Sequence, residues 1–306
     1  MTHLNDKLHM PEGVGIYMRA IDKDTHGSPA EAAKRAKDHG VSFVAIMSCW
    51  QDIHGGKFRQ IDANRRRDRI QRYSEAFANE GIDPWVWGYP WAGHEEEYID
   101  SLFAPDSFIP GLTVGVIHDP ELGAKWKNRA KRTRGATMRG QPEAIVGVNA
   151  SGGEKVRRRQ ADKVMSLTLD RLPSSGKRGY VTTSYGIARY HKNFPWKEYL
   201  QFGGFSPQLY KESLKAIDRA IEEWLAFWRK ATGLPDEQAH IMPSVAAYGE
   251  KAQLHMRRYL ASFLLSKHPI AAILVWSWRQ IDRREWRELN RFSEDLKDGA
   301  TRIVTP

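Results

Sequence analysis

Eight short apolar runs recur along the chain, and most are followed by a segment whose apolar residues return every three or four positions. The runs cover 13–21, 41–50, 83–91, 112–118, 180–185, 205–210, 240–247 and 270–278. After the first, Ser28-Pro29-Ala30-Glu31 combines an N-cap serine, a proline at the first helical position and a glutamate placed for a capping box. Gly40 suits the end of that helix. Further helices are expected over 67–79, near 95–103 and over 154–172. Leu214, Ile217, Ile221, Trp224, Leu225 and Trp228 mark an amphipathic helix, as do Met256, Tyr259, Leu260, Phe263 and Leu264, and 283–296 closes the pattern.

Strands alternating with helices imply parallel βαβ units, and eight of them imply closure. The expected fold is therefore α/β, a (β/α)8 TIM barrel in a single domain over 1–306. No Gly-x-Gly-x-x-Gly follows the first run, which argues against an open dinucleotide-binding sheet. The glycine-rich, basic segment 123–153 blurs the alternation and reads as an insertion.

Composition changes this picture in three ways. The 306 residues carry 47 basic against 37 acidic side chains, a net charge of +10, which favours anionic partners. Part of the excess sits in Lys125, Lys127, Arg129, Lys131, Arg132, Arg134 and Arg139; this stretch is either a solvated face or a contact for an anionic polymer. Cys49 is the one cysteine and lies in an apolar run, so it reads as a small core residue and no intrachain disulfide is expected. The N-terminal segment lacks the apolar stretch of a secretion signal and no run spans a bilayer, so a cytoplasmic location is expected, in a host cell or a virion if the chain is phage-encoded.

In a barrel of this kind, chemistry sits where strands end. The fourth run ends in His118-Asp119-Pro120-Glu121. On an extended backbone Asp119 and Glu121 project to one side, where two carboxylates can hold different protonation states, one as acid and one as anion. The same tripeptide is also a sound helix start, with Asp as N-cap and Pro in the first turn. Other strand ends add Gln208 with Tyr210, Trp276 with Trp278, and Trp85, Trp87, Tyr89 and Trp91, each set of one parity. Aromatic faces beside hydrogen-bonding groups suit sugar rings, although core packing is the ordinary role of a single tryptophan.

With Asp119-Pro120-Glu121 ending strand four, Gln208-Leu209-Tyr210 ending strand six and Trp276 at strand eight, the chain resembles the barrel lysozymes of glycoside hydrolase family 25, and more loosely the chitinase group. Thr183-Ser184-Tyr185-Gly186 adds an aromatic residue and a tight turn at strand five. The resemblance implies a polysaccharide substrate such as peptidoglycan, with Glu121 as general acid. Asp119 would stabilise the transition state or orient the N-acetyl group, and Tyr210 would donate a hydrogen bond. Asp22, Trp87, Tyr185, Gln208, Trp276 and Trp278 would line the cleft, with no metal or cofactor. Those lysozymes carry an acidic residue within strand one; here none precedes Asp22, so either Asp22 takes that place or the site is altered.

Two other classes fit parts of the pattern. A metal-dependent barrel enzyme would use His118, Asp119 and Glu121, with His54, His94 and His240 as further ligands, although His94-Glu95-Glu96-Glu97 also reads as a helix start. A non-catalytic barrel would keep the fold and bind glycan or nucleic acid, for instance in a phage particle.

Overall fold

The computed structural model describes residues 9–19, 21, 23–49, 51–52, 59–60, 63–88, 90, 95–104, 109–120, 153–177, 179–185, 195–200, 204–210, 214–236, 239–247, 270 and 272–304. Eight strands form a closed parallel barrel: β1 (Gly13–Met18), β2 (Phe43–Cys49), β3 (Asp83–Gly88), β4 (Gly115–His118), β5 (Gly179–Tyr185), β6 (Gly204–Gln208), β7 (Ser244–Ala246) and β8 (Ala272–Trp276). Each pairs with its sequence neighbours, and β1 pairs with β8 in the register Gly13↔Ala272 to Ile16↔Val275, which seals the cylinder. The expected (β/α)8 barrel is the fold.

Helices pack outside: α1 (Pro29–Asp38), α2 (Ala63–Asn79), α3 (Glu95–Phe103), α4 (Gly153–Ser175), α5 (Trp196–Leu200), α6 (Leu214–Thr232) and α7 (Arg283–Val304). The capping box forms as read: Glu31 N–H donates to the Ser28 hydroxyl at 3.3 Å, and Ser28 N–H donates to the Glu31 carboxylate at 2.7 Å. Gly40 then leaves the helix at a φ of 69°, a conformation glycine adopts without a Cβ clash. The helix expected around Met256 to Leu264 falls outside the described residues, as does the basic segment 123–153 up to its last residue, which opens α4.

For β7 and β8 the sequence shows why the strand is shorter than its apolar run. Pro243 has no N–H for the ladder, so regular pairing of β7 begins at Ser244 and Ile241 makes only isolated bridges, to Phe205 and to Ile270. β8 ends at Trp276; a 3₁₀ turn, Trp278–Gln280, follows and breaks the alternation.

The barrel interior is filled by pairing large residues with glycines. A Cβ on Gly115 would lie 2.3 Å from the Gly179 carbonyl oxygen and 2.3 Å from the Trp85 ring, and one on Gly15 would lie 2.1 Å from the Phe43 ring. Trp85 and Phe43 therefore occupy the volume their neighbours leave open, as close packing requires. Below them the segment before β1 closes the N-terminal end: Met10 is buried in the interior cluster, while His9 stacks at 6.5 Å over Trp85 and bonds Asp83 at 3.0 Å. Among the described residues, no helix is long and apolar enough to cross a membrane.

Candidate active site at the barrel mouth

With the N-terminal end plugged, the accessible lumen is at the C-terminal ends of the strands. Strand alternation decides which side chains reach it. On β4, Ile117 belongs to the interior cluster, so Asp119, two residues on, is inward and His118 is outward. On β6, Ser206 bonds Ser244 of β7 at 2.6 Å inside the barrel, so Gln208 is also inward.

Asp119 and Gln208 meet. Gln208 Nε2 donates to Asp119 Oδ1 at 3.2 Å, although β5 lies between their strands, so the bond crosses the lumen above β5. Asp119 is 2% exposed and Gln208 is half-buried. Asp119 N–H donates to the Gly88 carbonyl at 2.9 Å, extending the β3–β4 ladder by one residue and fixing where the carboxylate starts.

Across the mouth, Tyr17, Trp87 and Trp276 meet edge to face, with centroids 5.1 Å apart for Tyr17–Trp87, 5.0 Å for Tyr17–Trp276 and 5.4 Å for Trp87–Trp276. Trp276 alone of the three is partly exposed. The trio is thus a floor whose upper ring faces the cleft. Trp87, read from sequence as a cleft residue, is fully buried beneath it, with its indole N–H 3.4 Å from the Met18 carbonyl. It supports the platform rather than lining it.

Trp278 departs from the sequence expectation more sharply. It is 2% exposed and packs outside the barrel against His26, Phe77 and Trp286. Shared parity holds only along a continuous strand, and β8 has ended at Trp276; the 3₁₀ turn that follows takes Trp278 into the helical layer. Tyr210 follows β6 and is half-buried. Tyr185 ends β5, with only its backbone described, while Asp22 and Glu121 lie outside the described residues.

His118 does not face the lumen. Its Nδ1 lies 2.8 Å from the Tyr98 hydroxyl and its Nε2 lies 3.1 Å from the Thr168 hydroxyl, between α3 and α4. Burial pushes its pKa down to about 3, so the ring is neutral. A metal set joining His118 to Asp119 and Glu121 is therefore corrected: successive strand residues point to opposite faces. His240 is distant as well, lying before β7 at the plugged end, where its carbonyl accepts the Phe205 N–H at 2.7 Å. His54 and His94 lie outside the described residues. Among the described residues, no three His, Cys, Asp or Glu side chains gather as a metal site would require.

Sequence reasoning missed Tyr17, although its parity within β1, two residues from the inward Gly15, carried the signal. It also missed the buried partners of His118, which sit on helices far away in sequence.

No family model matches the chain, and no curated protein matches it by sequence. Solved structures do. The chain is similar to the endo-1,4-β-mannanase of Rhizomucor miehei (10% identity, TM-score 0.61, covering 94% of this chain and 95% of that one). It is similar to a GH5_18 protein from Streptomyces cattleya, solved in complex with Manβ1-4GlcNAc (10% identity, TM-score 0.61, 97% and 82% covered). A tamarind chitinase-like lectin also matches (9% identity, TM-score 0.51, 93% and 98% covered). These likenesses establish the barrel.

Proposed function

We propose that the chain is a glycoside hydrolase that cleaves an amino-sugar polymer such as peptidoglycan by carboxylate acid catalysis at the barrel mouth. The observation that carries this reading is Asp119: a nearly buried carboxylate at the end of β4, turned into the lumen and held by Gln208, in a mouth that also holds the partly exposed Trp276. Glu121, two residues further on, is the proposed general acid that protonates the leaving oxygen. Asp119 supports the positive charge that develops on the sugar or orients its N-acetyl group. Tyr210 donates a hydrogen bond there, Trp276 stacks on a sugar ring, and Asp22 and Tyr185 complete the cleft. The basic 125–139 stretch is offered to an anionic wall polymer. Similar barrels that act on mannan or hold Manβ1-4GlcNAc support the choice of a β-linked polymer containing hexose or amino sugar.

One observation favours a second reading. The similarity to a chitinase-like lectin fits a barrel that binds glycan without cleaving it. Reducing-sugar release from purified peptidoglycan and chitin oligomers, comparing wild type with Glu121→Gln, separates the two. Activity abolished in a folded variant is the expected result. Equal activity in both moves the acid elsewhere, and saturable binding with no release by either protein favours the lectin-like reading.

A further inference from the structure

Fully buried polar side chains on the outer side of a barrel are costly unless each hydrogen-bonding atom is satisfied. On β4 the outward residue next to Asp119 is His118, 0% exposed, with both ring nitrogens engaged. The donors can be assigned by counting. Thr168 Oγ lies 2.8 Å from the Val164 carbonyl, one helical turn back, and donates to it. It therefore accepts from His118 Nε2–H, which leaves Nδ1 as the acceptor for the Tyr98 hydroxyl. The single proton of the Tyr98 hydroxyl is then shared between His118 Nδ1 at 2.8 Å and the Gly88 carbonyl at 3.2 Å, the same oxygen that accepts the Asp119 N–H. One chain of contacts thus joins the ends of β3 and β4 to α3 and α4.

We propose that Tyr98, His118 and Thr168 form a positioning relay that sets the carboxylate of Asp119 from behind its own strand; this rests on reading Asp119 as a site residue. Neighbouring strand residues share a peptide plane, so a ring clamped on the outer face limits rotation of the residue beyond it on the inner face. Movement of a reacting group by about 1 Å can cost on the order of 100-fold in rate, so such a clamp has catalytic weight without touching substrate.

The test compares His118→Leu, which removes both bonds, with His118→Asn, whose side-chain amide can keep the Tyr98 contact, and with Tyr98→Phe. Near-UV circular dichroism confirms that each is folded. The substrate-free measurement is the side-chain amide resonance of Gln208, which reports its bond to Asp119, with Asp119→Ala as the reference for a lost acceptor. His118→Leu should move that resonance toward the Asp119→Ala position, Tyr98→Phe should move it part of the way, and His118→Asn should restore it. Coincidence with wild type in a folded His118→Leu protein overturns the proposal. Where wild type releases sugar, kcat in His118→Leu should fall about tenfold with KM within about twofold, partly recovered by Asn; unchanged kcat per folded molecule overturns it too. If wild type releases no sugar, the hydrolase reading fails, and the Gln208 resonance alone decides the relay.

Discussion

Acidification from about pH 7.5 to pH 5 should remove about 2 kcal/mol of folding stability through His118 alone. In the native barrel burial holds its pKa near 3, against an ordinary value of 6.5. Above 6.5 the ring is neutral in both folded and unfolded chains and contributes no pH dependence. Between 6.5 and 3 the unfolded chain binds a proton that the native protein refuses, so stability is lost as pH falls through that window. Each tenfold preference is worth about 1.4 kcal/mol, which gives about 2 kcal/mol by pH 5 and about 5 kcal/mol if the whole window is crossed. Urea titrations at half-unit pH steps, for wild type and His118→Asn, measure this directly. All other titrating groups are common to the two proteins, so the difference between their stability curves isolates His118. That difference should be level above pH 7 and change by about 1.4 kcal/mol per pH unit below 6. Parallel curves from pH 5 to 7.5 would refute the assignment of a neutral, buried ring.

The two tryptophans of the mouth should behave differently. Trp276→Ala should weaken glycan binding in a folded protein, while Trp87→Ala, which empties a fully buried site, should cost about 3–5 kcal/mol; glycan titration and urea melts distinguish them. Gly115→Ala forces a methyl against the Gly179 carbonyl and the Trp85 ring, so thermal melts should show about 1–3 kcal/mol of destabilisation. Ser28→Ala removes the hydroxyl that caps α1 and should cost about 1 kcal/mol by the same measurement, with no change in glycan binding.

Where sequence and structure agree, the signal was local. The first helix was readable because Ser28, Pro29, Glu31 and Gly40 each carry a local preference that the tertiary structure leaves intact. Gln208 and Asp119 were readable as inward residues because both sit on or just beyond regular strands. Trp278 was misread because two-residue periodicity was extended past the point where pairing stops, and chain termination of a strand leaves little mark on an apolar run. Trp87 was given the right face but the wrong depth: parity tells inside from outside, not how many rings lie above. The alternative metal-enzyme reading put His118 beside Asp119 as a ligand although its parity opposed that. Its true partners, Tyr98 and Thr168, lie 20 and 50 positions away and carry no motif.

The seam between β1 and β8 has a consequence for how the chain is made. Ser293 on α7 donates to the Gly40 carbonyl at 2.9 Å across 253 positions, and the β1–β8 ladder spans a similar interval. On the ribosome β1 can find β2 early, but its other edge has no partner until Ala272–Val275 have emerged. Throughout translation the growing sheet therefore presents raw hydrogen-bonding edges, the surface that recruits neighbouring nascent chains. Prematurely terminated products ending before β8 should collect in inclusion bodies or on chaperones, and full-length protein should escape them only once the ring is shut.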